Sequence, residues 1–205
     1  MVDKMQQVAD GNYTVSLEMK SDKDRLTESL NKMTRALKET SAENEAQNWL
    51  KSGQNQLNEN IRGEVDVMEL TTRIITFMAE YLDVQIGAVY LKEEKEDILK
   101  LHGSYAFSHR KQLNDQFKIG EGIVGQAAFS RQTISLTELP DDYTRIRSAT
   151  GDMPPKNVVV QPLIYDRQLL GVVELASKSE SDEKHMEFIN SVSETIAISI
   201  NSSRS

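Results

Sequence analysis

The chain has 205 residues, no cysteine, 24 basic against 32 acidic side chains and a formal net charge of -8. Disulfides, thiolate catalysis, thioether-linked chromophores and cysteine-ligated zinc are thereby excluded. Lys and Arg are scattered among acids, which argues against a nucleic-acid or membrane-surface partner. Only 38% of residues are hydrophobic and mean hydropathy is -0.50, values that suit a chain with much solvated helix surface. No run approaches the ~18 apolar residues of a membrane span, and the opening lacks the basic-then-apolar start of a signal peptide.

Residues 20–62 contain no Pro and a single Gly, Gly53. Ser21 with Asp24 after it reads as a helix start. Apolar positions follow at Leu26, Leu30, Met33 and Leu37, a 4-3-4 spacing that marks a coiled-coil seam. The seam returns at Leu50, Leu57 and Ile61. Leu37 to Leu50 spans 13 positions, where an unbroken heptad needs about ten or fourteen. The phase therefore slips within residues 38–49, which locally changes supercoil winding. A helix of ~40 residues is ~60 Å long, and so thin a stripe cannot be buried within one chain. The seven seam residues are expected to form the interface of a parallel homodimer.

A broader apolar face opens at Val67 and continues through Leu70, Ile74, Ile75, Phe77, Met78 and Leu82, predicting an amphipathic helix. Residues 84–91 and 98–105, joined by the charged turn 92–97, predict an antiparallel hairpin. The section 106–155 reads as loops holding one short helix, 123–131, and one short strand, 133–136. Residues 158–165 and 169–176 predict a second hairpin. A last helix begins near Ser181 and carries Met186, Ile189, Val192, Ile196 and Ile200. The expected fold class is α+β: a long N-terminal helix, then an α/β sandwich on a mostly antiparallel sheet.

Gly120, Gly122 and Gly125 fit a G-x-G-x-x-G pattern, but residues 116–119 are too short and polar for the buried strand that a dinucleotide loop follows. The better reading is a tight turn entering a helix. His102, His109 and His185 lack ligand spacing, no G-x-S-x-G elbow occurs, and the paired acids fall in turns. No catalytic residue, metal site or cofactor is expected. The middle loops carry aromatic and hydrogen-bonding groups that either close a small-molecule pocket or collapse onto an empty core. The candidate ligand residues are Ser104, Tyr105, Tyr143, Arg145, Ile146, Ser148 and Gln161.

Residues 8–37 resemble the second half of a HAMP domain, through Gly11, Val15, Leu17, Met19, Leu26, Leu30, Asn31, Met33 and Leu37. Residues 64–202 look like the GAF domain of membrane-bound hybrid sensor histidine kinases. The matching features are the runs 86–91, 120–126 and 170–175, Pro154 with Pro155, and Pro162 with Leu163. The resemblance implies a partial HAMP domain over 1–37, a signalling coil over 38–63 and a GAF sensory domain over 64–202. It implies a cytoplasmic relay from an inner-membrane protein, covalently linked to a kinase output. A chemoreceptor, a diguanylate cyclase or a ligand-free dimerisation scaffold are the alternatives. GAF relatives that attach bilins or reduce methionine sulfoxide use cysteines, which this chain lacks.

Overall fold

The computed structural model describes residues 2–14, 25–63, 65–106, 115–139, 146–148 and 151–204, with backbone alone at 2, 146–148 and 151–153. Two compact units divide the chain, Met1–Lys51 and Ser52–Ser205.

The first unit contains helix α1 (Val2–Ala9) and most of α2 (Arg25–Asn60). The α1 helix was not foreseen. The start signal at Ser21 and Asp24 lies outside the described residues. On α2, Leu26, Met33 and Leu37 are 59%, 58% and 39% exposed, so much of the seam stays uncovered within one chain. Leu30, Met33, Thr34 and Leu37 line an apolar groove of about 320 Å³ together with Met5, Val8, Ala9 and Tyr13.

The second unit opens with the last turns of α2 and continues into α3 (Val67–Tyr81). Asp66 caps α3 by accepting the Glu69 amide at 2.9 Å, satisfying a donor that the first turn leaves open. The predicted apolar face is the buried one: Leu70, Ile74, Ile75, Phe77 and Met78. Next come β1 (Ile86–Lys92), β2 (Ile98–Tyr105), β3 (Gln116–Lys118), α4 (Gly122–Ser130) and β4 (Ile134–Leu136). After these, β5 (Ile146–Ser148), β6 (Gly151–Met153), β7 (Asn157–Tyr165), β8 (Gln168–Ser177) and α5 (Glu183–Arg204) complete the unit. Six strands form one antiparallel sheet in the order β3-β2-β1-β8-β7-β4, and β5 pairs with β6 separately.

Strand β1 is buried at every position from Ile86 to Leu91, because the sheet is covered on both sides. Ile86, Ala88, Tyr90, Val158, Val160, Val172 and Ala176 meet Val124, Ala127 and Ala128 of α4. Helices α3 and α5 lie against the other face. Pro162 is tolerated inside β7 because β4 pairs only with Val158, Val159 and Val160, leaving that edge free of ladder bonds further on.

Leu57 departs from the expected seam. Leu57 is 1% exposed within its own chain, so its side chain is spent inside the domain and cannot join a second copy. Ile61 is half-buried and lines a groove with Val65, Leu70 and Ile198. Burial within its own chain thus takes Leu57 out of the seam available to a second copy. Leu57→Ala should therefore lower domain stability by about 2–5 kcal/mol, the usual cost of emptying a buried leucine site. Urea unfolding followed by circular dichroism checks this; a change below ~0.5 kcal/mol is what a surface position would give.

Candidate functional site

Strand register decides which predicted ligand residues can meet, since directly paired residues in a sheet share a face. Ser104 pairs with Ala88, Ala88 with Glu174, Glu174 with Val160, and Val160 with Ile134. This row crosses the middle of the sheet on the α4 side. Ser104 is thus on the face expected for a pocket, and it is half-buried there.

Tyr105 and Gln161 are not. Tyr105 pairs with Gly87, on the face where Ile75 of α3 stands. Gln161 also looks towards the helices: its Oε1 accepts from the Thr133 hydroxyl at 2.7 Å, and the same hydroxyl reaches Asn190 Oδ1 of α5 at 3.4 Å. Both therefore lie on the face opposite Ser104. A bulge between Val89 and Tyr90 shifts the β1–β2 pairing, and such a shift reverses the face of every later residue. Ile146 and Ser148 lie on β5, where the backbone alone is described, and Tyr143 and Arg145 lie outside the described residues.

The sequence reading missed Glu174. It is a half-buried carboxylate at the centre of the α4 face, between Ala88 and Val160. One acid inside the run 170–176, otherwise without charge, was the available signal. Tyr90 lies on the same face, edge-on to Phe117 with ring centroids 5.3 Å apart. Burial pushes its phenol well above the ordinary tyrosine range, and the negative charges of Glu174 and Asp115 add to the effect. Tyr90 is buried in the core beneath α4, so the partly open polar groups of this row are Glu174 and Ser104. Neither is an activated nucleophile.

The glycine motif closes on itself. Gly120 has φ +90° and its amide donates to the Gly125 carbonyl at 2.8 Å, while Glu121 accepts the Lys118 amide at 2.9 Å. A Cβ on Gly125 would stand 2.3 Å from the Lys118 carbonyl oxygen, so close backbone approach explains that glycine. His102 Nδ1 lies 3.0 Å from the Lys100 carbonyl, His185 Nδ1 lies 3.1 Å from Asp182, and His109 is outside the described residues. Among the described residues no three His, Asp or Glu side chains gather as a metal site.

The second unit is an α/β domain with an antiparallel six-stranded sheet, paired helices on one face and a short helix on the other. A GAF domain profile matches residues 64–201, and the chain belongs to the GAF domain family. It is 22% identical over 116 residues to the nitrogen fixation protein AnfA of Azotobacter vinelandii, covering 55% of this chain and 22% of that protein. Its fold is similar to the GAF domain of a Coxiella burnetii phosphoenolpyruvate-protein phosphotransferase (TM-score 0.64, 18% identity, 78% of this chain, 96% of that one). It is also similar to free methionine-R-sulfoxide reductase of Neisseria meningitidis, solved with its substrate (TM-score 0.59, 16% identity, 78% of this chain, 90% of that one). At such identities the likeness is one of fold.

Tyr90 gives a pH signature. Its folded-state pKa lies above its unfolded value near 10.0, so its contribution to stability is complete below pH 10 and falls as pH climbs towards the folded value. In alkaline titration one of the six tyrosines should ionise only as the domain unfolds. Tyr90→Phe should remove that step from the phenolate absorbance curve, and its persistence in the variant would contradict the assignment.

Proposed function

We propose that this chain is a signal-relay and sensory segment with no catalytic centre of its own: a dimeric coil that feeds a GAF domain. The observation that supports this best is the division of labour along α2. Leu26, Met33 and Leu37 stay exposed in one chain, whereas Leu57 is buried within its own domain. An apolar stripe of that length needs a partner, and a parallel second copy supplies one with matching seam and register. The groove between α1 and α2, with Met5, Val8, Leu30 and Leu37 along it, would deepen that contact. The resemblance of residues 8–37 to HAMP and of the domain to histidine-kinase GAF domains supports the finer reading. In it, the parent is a membrane-bound sensor histidine kinase, the relay is cytoplasmic, and the output is covalently linked. No helix among the described residues is long and apolar enough to cross a membrane, so an anchor would lie elsewhere in such a parent.

A ligand of the GAF domain would act through its different affinity for two arrangements of the helices, ~1.4 kcal/mol for each tenfold difference. Sedimentation velocity tests the dimer directly. The chain should run as a dimer, and Met33→Asp should weaken association by at least about tenfold, as burying an unpaired charge in the seam demands. A monomer at high concentration would overturn the relay. Adding one residue within 38–49 of the full-length protein should alter signalling by restoring heptad phase; unchanged output would remove that segment from the mechanism.

A further inference from the structure

Gly53 is the single glycine of α2, and it stands where that helix enters the second unit. A Cβ there would lie 2.5 Å from Tyr81 Cε1 and 2.6 Å from Phe188 Cε2. The slot is therefore walled by one ring from α3 and one from α5. Those rings brace each other, with centroids 5.1 Å apart at 42°, and Phe77 stacks on Tyr81 at 5.4 Å. The Tyr81 hydroxyl hydrogen-bonds with the Ser52 side chain and the Gly53 backbone. One turn further on, Leu57 is buried on the same side of the helix.

We propose that Gly53, Tyr81 and Phe188 form a register-selective seat that holds the end of α2 in one position or releases it. The slot has no room for a methyl group. A rotation by one residue would present Ser52 or Gln54, and a shift by one turn would present Trp49 or Leu57. Each carries a Cβ that the rings exclude. Close-packed contacts of this kind do not deform continuously; they are made or lost. The far end of α5 is tied as well: Ser203 Oγ donates to the Val65 carbonyl at 2.9 Å, and Arg204 Nη1 to the Lys92 carbonyl at 3.1 Å. Release of α2 would therefore be felt first at Tyr81 and Phe188, inside a helix pair whose other end is anchored. The role of the seat in signalling rests on the relay reading above, but its all-or-none character does not.

Hydrogen exchange on the whole chain tests it. Gly53→Ala should raise exchange of the amides over 53–60 by about tenfold or more as one unit, while β1 and β8 keep their protection. Tyr81→Phe, which deletes the hydroxyl and keeps the ring, should raise the same amides by about two- to fivefold. Gly53→Ala combined with Tyr81→Ala opens the slot, and should exchange more slowly over 53–60 than Gly53→Ala alone. Unchanged exchange in Gly53→Ala would overturn the seat. So would additive effects in the double variant, or loss of protection spread evenly over the domain in Tyr81→Phe. A chain that proves monomeric in sedimentation yet shows the predicted exchange pattern would sink the relay and leave the seat standing.

Discussion

The structure depends on a sheet whose middle strands are apolar on both faces. Residues 86–91 of β1 and 158–163 of β7 are buried throughout, and a strand of that kind is stable only where something covers each side. Helix α4 fills one side with the small residues Ala127 and Ala128 beside Val124. The amphipathic helices α3 and α5 take the other. The last turns of α2 then meet those two helices at Gly53, and Leu57 is buried in the same unit. The entry helix is thus continuous with the core of the domain in a physical sense, although the family profile begins only at residue 64.

The two faces are consequently unlike in what they can do. On the helix face the buried polar groups serve one another: Thr133 bonds to Gln161, and Ser203 ties α5 to the segment before α3. On the α4 face a carboxylate sits among aliphatic neighbours, close enough to shift Tyr90. Mechanical coupling belongs to the helix side, where Gly53 of α2 meets Tyr81 and Phe188.

Much of the fold was legible because period and composition carry it. The α3 face, both hairpins and the α5 stripe follow from spacing alone and each is present, although Val67 and Met186 at the starts of the two helices are only half-buried. The candidate site was less legible because its location depends on register. Tyr105 and Gln161 have suitable chemistry, yet pairing places both on the helix side, and the extra residue His102 of β2, opposite Val89 and Tyr90, is marked in the sequence only by the neighbouring Gly103. Glu174 was overlooked because it was read as one position of an apolar strand. Leu57 illustrates a second limit. Heptad spacing shows that a face is covered and cannot distinguish a second copy from the chain's own domain.

The central claim is that α2 divides its apolar residues between two partners, a second copy along its first turns and its own GAF domain at its last. Because the chain has no cysteine, single cysteines placed along α2 report directly on symmetric neighbours. Oxidative cross-linking should join two chains efficiently through cysteine at position 26, 33 or 37, and should fail at position 57. Cross-linking at 57 as readily as at 33, or none at the first three positions, would contradict the account.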